Sequence, residues 1–451
     1  MPASILRPRV VCAAVAFALL PLALPSAPQN VLVLGDSLSE EYAFELPFSA
    51  PDSDPFRANL RNWIELLAAT RPTEISFGSY DGNLAAYPDY RDGGHAYNWA
   101  VPGFKTTDLA ELINPPLLPR DELELLDALS CPKLKSQLKD DVAWVVIFCG
   151  GNDLSSLYSE LASGTATPAQ LAAIRDNLAA TIDFVRTQNA ALKIVLVNAP
   201  DIGVTPAVQA RGATPEARAA ATTRIASLNT LLAALAADRG IALADSFTLT
   251  RRVAEAAPFR LNGTAFLPTA HPENDPHHLF AKDGFHASTV LQALIANEIL
   301  GALNTRYAAG FTSLANREII AALGLDPDQP LRDWLAAAAL PADTAPTSDP
   351  DADGLPLLTE FALGLSPTQP DAAPLRAIPP EEPDSVARFE YPIDHSGGYA
   401  LTSVEWTAEL GAPWQPVPTE WISAGSAAHE VTLPATTGPG VFLRLCSTPA
   451  P

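Results

Sequence analysis

From residue 30 to about 305, short apolar runs alternate with longer stretches of helical spacing, which marks repeated strand–helix–strand units and a parallel sheet. The runs at 31–34, 74–78, 142–148, 193–197 and 241–245 are read as strands. The third and fourth are apolar at consecutive rather than alternate positions, so both of their faces are expected to be buried. Helices are expected over 57–69, 121–138, 168–188, 215–237 and 288–304. The Ala and Leu stripe of the fourth reads as core.

The texture changes after about residue 312. Two short helices, 313–323 and 330–339, precede Pro341-Ala342-Asp343-Thr344-Ala345-Pro346, which has linker composition. Beyond Pro379-Pro380, the stretches 387–391, 401–410, 429–433 and 441–446 alternate apolar and polar residues between turn signals, the pattern of a small, mainly antiparallel β module. The expected organisation is a leader over 1–27, an α/β domain over 28–305, a helical linker over 306–346, an acidic loop and helix over 347–367, and the β module over 384–451.

At 451 residues the chain exceeds one typical domain. Its 51 acidic against 28 basic residues give a net charge of −23, which argues against nucleic acid or an anionic membrane as an electrostatic partner. Arg7 and Arg9, the apolar stretch 10–24 and Pro25-Ser26-Ala27 read as a secretory signal peptide cut near Ala27. A membrane anchor is the alternative, although the stretch is short for a span and contains Pro21. The expected location is secreted, periplasmic or at the cell surface, with no integral membrane segment after cleavage. Cys131, Cys149 and Cys446 have no regular spacing and describe neither a disulfide framework nor a metal site. Cys149 follows an apolar run and reads as a small buried hydrophobe.

Four blocks carry the candidate chemistry: Gly35-Asp36-Ser37-Leu38-Ser39, Asn98-Trp99-Ala100-Val101-Pro102-Gly103, Gly150-Gly151-Asn152-Asp153 and Asp283-Gly284-Phe285-His286. Ser37 follows the first strand, at the sheet edge where open α/β folds bind ligands. A serine hydroxyl needs a base to take its proton. His286 fits that role, and Asp283, three residues earlier, could orient the imidazole and stabilise its charged form. Asp36 and Asp153 read as braces of their loops.

The four blocks, with Asn198-Ala199-Pro200-Asp201-Ile202-Gly203-Val204-Thr205-Pro206, resemble the GDSL lipase/esterase family, also called SGNH hydrolases, over roughly the first two-thirds of the chain. The resemblance implies a flavodoxin-like three-layer αβα domain with a parallel five-stranded sheet. It also implies a serine ester hydrolase working through an acyl-enzyme with no catalytic cofactor. Its oxyanion hole would combine the backbone N–H groups of Ser37 and Gly103 with the side-chain amide of Asn152. Small-molecule, lipid and carbohydrate esters all remain open as substrates. So do a lysophospholipase or thioesterase, a polysaccharide deacetylase, and a surface binding protein with a non-catalytic hydrolase fold. The insert 43–57 and the stretch 80–97, with Tyr87, Tyr90, Tyr97 and Trp99 nearby, are expected to rim the cleft.

A separate pattern lies downstream. Asp349, Asp351, Asp353, Gly354 and Glu360 follow the calcium-loop spacing D-x-D-x-D-G-x5-E, in which hard carboxylate oxygens alternate, Gly permits the sharp turn and Glu closes the shell. The expected ligand set for a structural Ca2+ is Asp349, Asp351, Asp353, Leu355 and Glu360. The stretch through Ser366-Pro367 resembles EF-hand-like calcium loops near the C-termini of secreted bacterial proteins. No helix is expected to enter the loop, which suits a clamp better than a sensor. A solvated acidic linker is the alternative. For His271, His277 and His278 a polar loop lining the cleft is favoured over zinc, and His95 reads as a packing residue. Trp406 and Trp414 read as fillers of a small core before a sugar platform.

Overall fold

The computed structural model describes residues 27–43, 60–83, 87, 89, 91, 93–117, 119, 121–211, 214–255, 258–379, 386–409, 411–433 and 441–450. The leader up to Ser26, most of the rim insert and Tyr90 lie outside the described residues.

The central sheet is parallel. Its strands are β1 (Gln29–Gly35), β2 (Ile75–Ser76), β5 (Asn98–Ala100), β6 (Trp144–Phe148), β7 (Lys193–Val197) and β8 (Ala242–Ala244). The order is β2-β1-β6-β7-β8, and β5 pairs with the second half of β1 on the side where β2 pairs with its first residues. A hairpin of β3 (Tyr80–Asp81) and β4 (Gly94–His95) precedes β5. Sequence patterning missed β5, which is three residues long and begins with a polar Asn.

Side chains alternate across the sheet, and both faces are covered. Val31, Val33, Trp144, Val146, Phe148, Val195 and Val197 enter one core with α1 (Trp63–Thr70), α9 (Ser246–Glu255) and α10 (Thr289–Tyr307). Leu32, Leu34, Val145, Ile147, Ile194 and Leu196 enter the other with α2 (Thr106–Ile113), α3 (Glu122–Ser136), α6 (Pro168–Gln188) and α8 (Pro215–Arg239). Short helices α4 (Gly151–Ser156), α5 (Tyr158–Ser163) and α7 (Pro206–Ala210) lie in the connections. This is the expected three-layer αβα arrangement.

Helix starts follow capping chemistry. Asn62 accepts the Glu65 N–H at 2.9 Å and Glu65 accepts the Asn62 N–H at 2.8 Å, a capping box that starts α1 at Trp63 rather than at the expected 57. Thr167 with Pro168 opens α6 with a capping box to Gln170, and Thr214 before Pro215 caps α8 by accepting the Ala217 N–H.

The first part of the segment expected as a helical linker packs as part of the α/β domain, whereas Leu331 and Leu335 join a separate cluster with Leu357 and Tyr399. Ile319 and Ile320 of α11 (Asn316–Ala322), together with Phe311, Leu314 and Leu323, join the same core as α1 and α10. Arg71 after α1 makes two hydrogen bonds to Glu318, at 3.0 and 2.7 Å. Before the His286 loop, β9 (Phe259–Leu261), β10 (Thr264–Ala270) and β11 (His278–Phe280) form a small sheet.

Among the described residues, the C-terminal region holds α12 (Gln329–Ala337), α13 (Leu357–Leu363) and the strands β12 (Arg376–Ile378), β13 (Arg388–Pro392), β14 (Ala400–Thr407), β15 (Gln415–Pro416), β16 (Ile422–Ala424), β17 (Ala428–Thr432) and β18 (Phe442–Pro449). They form antiparallel sheets β12-β13-β17-β16 and β15-β14-β18, around Tyr391, Val404, Val417, Val431 and Leu433. The strands therefore begin at Arg376, ahead of the expected boundary at 384. Trp406 packs on Trp421 with ring centroids 5.5 Å apart, and Arg444 stacks over Trp414 at 4.5 Å. Among the described residues no helix is long and apolar enough to cross a membrane.

Candidate active site

Ser37 sits on a tight turn at the carboxyl end of β1. Gly35 is needed there because a Cβ would stand 2.9 Å from the Phe148 carbonyl oxygen of β6. Asp36 shapes the turn: its carboxylate accepts the Leu38 N–H at 3.0 Å, and its carbonyl accepts Ser39 and Glu40 N–H groups at 2.9 and 3.1 Å. Burial, with Asp153 nearby, pushes the Asp36 carboxyl up to about 6 against the opposing hydrogen bonds and the charge of His286.

The second block braces this turn through Asn98, a role that patterning did not assign to it. The Asn98 amide donates to the Ser39 carbonyl at 2.9 Å and to the buried Glu41 carboxylate at 2.7 Å. Glu41 also accepts from the His95 backbone N–H at 2.9 Å and lies 2.9 Å from its ring Nδ1, so His95 is a packing residue.

The His286 loop is pinned by Asp283, whose Oδ1 accepts the Phe285 and His286 N–H groups at 3.0 and 3.1 Å. Its other oxygen meets His286 Nδ1 at 2.5 Å, and His286 Nε2 lies 2.7 Å from Ser37 Oγ. An ionised carboxylate fixes the proton on Nδ1, so Nε2 is left to accept from the hydroxyl. Burial raises the Asp283 carboxyl, but the His286 hydrogen bond and charge and the two backbone donors outweigh it and hold it below the usual range. Ser37, His286 and Asp283 thus form one continuous hydrogen-bonded chain.

Asn152 lines the same pocket as Ser37 and donates one amide proton to the Phe104 carbonyl at 2.9 Å; a primary amide carries a second N–H. Gly103, one residue before Phe104, is exposed with φ at +81°, which favours glycine. Asp153 fastens this loop to the next: its carboxylate accepts the Thr106 N–H at 2.9 Å and the Thr106 hydroxyl at 2.8 Å. Burial raises the Asp153 carboxyl above its ordinary value. The buried Cys149 thiol is pushed well above its ordinary value, first by burial and then by nearby carboxylates, so it offers no thiolate.

The pocket below Ser37 and Asn152 runs between the strand ends and α10 and is lined mainly by Phe148, Ile202, Val204, Phe285, Leu291 and Ile295. Tyr97 and Trp99 do not line it. Trp99 is buried, its indole N–H donating to Gln137 at 2.7 Å beneath the Arg91 guanidinium. His271, His277 and His278 also lie outside the lining; His277 pairs with Asp275 and His278 with the Thr269 hydroxyl.

Away from this site, Asp349, Asp351, Asp353 and Glu360 come together as the spacing suggests, joined by Asp371, which stands outside the loop pattern and carried no signal in it. Leu355 lies beside them, its N–H on Asp353 Oδ1 at 2.8 Å.

The family model for GDSL-like Lipase/Acylhydrolase matches residues 31–299. Among solved structures, the chain is similar to an extracellular lipase from Streptomyces rimosus, at 17% identity over 62% of this chain and 99% of that one, TM-score 0.33. It is similar to phospholipase A1 from Streptomyces albidoflavus NA297, at 17% identity over 62% of this chain and 100% of that one, TM-score 0.34. It is also similar to a carbohydrate esterase of family 3 from Talaromyces cellulolyticus, at 14% identity over 61% and 97%, TM-score 0.31. No curated protein matches. With the family model covering more than half of its length, the chain belongs to the GDSL-like lipase/acylhydrolase family and is a hydrolase acting on esters.

Proposed function

We propose that the chain is an exported serine esterase in which Ser37 is the nucleophile, His286 the base and Asp283 its orienter. The observation that carries this reading is the unbroken chain from Asp283 through His286 to Ser37, opening on an apolar pocket. Ser37 Oγ attacks the ester carbonyl as its proton passes to His286 Nε2. The oxyanion that develops is held by the N–H groups of Ser37 and Gly103 and by the Asn152 amide. His286 then gives the proton to the departing alcohol, leaving an acyl-serine. Water, activated in turn by His286, releases the acid and restores the hydroxyl.

The apolar lining supports a hydrocarbon acyl chain in the pocket, with the alcohol portion directed toward solvent. Export rests on the leader-like segment 1–27 and the acidic composition. Labelling by a fluorophosphonate, with hydrolysis of p-nitrophenyl acetate, butyrate and octanoate, tests the assignment. Wild type is expected to label and to turn over the longer esters better than acetate, while Ser37→Ala does neither. Near-wild-type turnover by folded Ser37→Ala would remove Ser37 from the chemistry.

A further inference from the structure

Glu360 is fully buried on α13, and neither of its carboxylate oxygens has a hydrogen-bond partner. Leaving a buried carboxylate unpaired is costly, and nearly every buried polar group in a folded protein avoids it. Its neighbours make matters worse, since they are acids. One oxygen from each of Asp353, Glu360 and Asp371 falls within 4.8 Å of the others, and the same holds for Asp349, Asp351 and Asp353. Asp351 also has an unpartnered, buried Oδ2. Burial first, then the charges of Asp351, Asp353, Asp349 and Asp371, push Glu360 up to about 7. A solvated acidic turn would point these groups outward; here they form two triads that share Asp353.

We infer that Asp349, Asp351, Asp353, Glu360 and Asp371 enclose a calcium site, and that the ion clasps the chain entering the C-terminal strands onto α13. The donor set is all oxygen, and Leu355 stands where such a loop supplies a backbone carbonyl, which suits a hard cation taking six to eight ligands. The loop is already shaped for it: Gly354 has φ +94° and donates its N–H to Asp349 at 2.9 Å. Asp371 joins from outside the loop, held by its own N–H on Asp353 Oδ2 and by the Ser366 N–H on its carboxylate, both at 2.8 Å.

The position of α13 gives the ion its role. Leu357, Leu358 and Ala362 share one core with Leu331 and Leu335 of α12 and with Tyr399 and Ala400, which lead into and begin β14. The His395 N–H, from the β13–β14 connection, bonds to the Ala362 carbonyl at 2.6 Å. A cation closing Glu360 against Asp371 therefore fixes the hinge between the helices and the β module. It lies far from Ser37 in the chain and touches none of the residues lining the esterase pocket.

The test uses the full chain, stripped with EGTA and titrated calorimetrically with CaCl2 or MgCl2, with hydrogen exchange read over 366–378. Calcium is expected to bind at one equivalent, at least about tenfold more tightly than magnesium, and to slow exchange in that segment. Glu360→Gln and Asp371→Asn are each expected to weaken calcium binding at least about tenfold. In EGTA both should melt no lower than wild type, because each removes a repelling charge, so lost binding cannot be ascribed to unfolding. Absence of calcium binding, or equal binding of magnesium, would overturn the site. Wild-type affinity in Asp371→Asn, or unchanged exchange over 366–378, would overturn the clasp. Esterase activity with and without EGTA is expected to be the same, which keeps this result separate from the assignment of Ser37.

Discussion

Asp36 holds the nucleophile turn together with a carboxyl that burial has pushed up to about 6. The sign of its pH effect follows directly. In the unfolded chain the group loses its proton near its ordinary 3.8, while the folded protein retains it to about 6, so the folded state binds more protons in that window. Stability contributed by Asp36 is therefore complete below about 4, falls as pH rises toward 6, and is constant above it. At 1.36 kcal/mol per pH unit, the difference amounts to about 3 kcal/mol. Asp36→Asn keeps an oxygen for the Leu38 N–H and removes the titration. Relative to wild type it is expected to gain up to about 3 kcal/mol between pH 4 and pH 7.5 in urea unfolding. A difference that does not vary with pH would show that Asp36 does not titrate in this window. Asn152 is a contrasting case, since its proposed contribution is to the rate. Asn152→Ala is expected to lower kcat on p-nitrophenyl butyrate about 100- to 1000-fold with its urea midpoint little changed, and a loss confined to KM would argue for ground-state binding instead.

Elements differ in how plainly they announce themselves. The apolar runs of β1, β6 and β7 were legible because burial on both faces leaves no polar residue to interrupt them. The residues proposed for the chemistry stand out in sequence for a related reason: Ser37 follows the end of β1, and Asp283 and His286 lie around Gly284, whose φ of +70° favours glycine. What escaped was set by distant contacts. β5 is a strand only because β1 is there to pair with it, and Asn98 is a brace only because Glu41 and Ser39 converge on it. Gly35 tests the strand-end argument. In Gly35→Ala the new methyl would meet the Phe148 carbonyl at 2.9 Å and Ser39 Cβ at 3.2 Å, so β1 and β6 must part slightly. The expected result is a destabilisation of about 1–3 kcal/mol and a fall in kcat, because Ser37 is carried by the displaced backbone. Wild-type kinetics together with wild-type stability would show that β6 yields without moving the nucleophile.

Across the whole molecule, every residue lining the esterase pocket falls between Asp36 and Ile295, yet the unit able to fold around it is longer than that interval. A boundary at 305, placed where helical texture gives way, would strip Phe311, Leu314, Ile319, Ile320 and Leu323 from the core they share with α1 and α10. Each such side chain contributes about 1.5–3 kcal/mol on burial, so five of them are comparable to the whole stability of an ordinary domain, roughly 5–15 kcal/mol. The Arg71–Glu318 pair would be lost with them, leaving the Arg71 guanidinium without its carboxylate. A cut after Asp326 removes much less from the α/β domain: the Asn262 amide loses the Pro327 carbonyl, the Gly263 N–H loses the Gly397 carbonyl and Arg317 loses Asp328, contacts worth about 1 kcal/mol each. A chain ending at 326 is therefore expected to be soluble, to unfold cooperatively and to hydrolyse p-nitrophenyl butyrate with kcat close to that of the full chain. One ending at 305 is expected to aggregate. Circular dichroism, urea unfolding and ester kinetics on the two truncations decide the matter, and a folded, active 305-residue chain would show that α11 is an accessory to the α/β core rather than part of it.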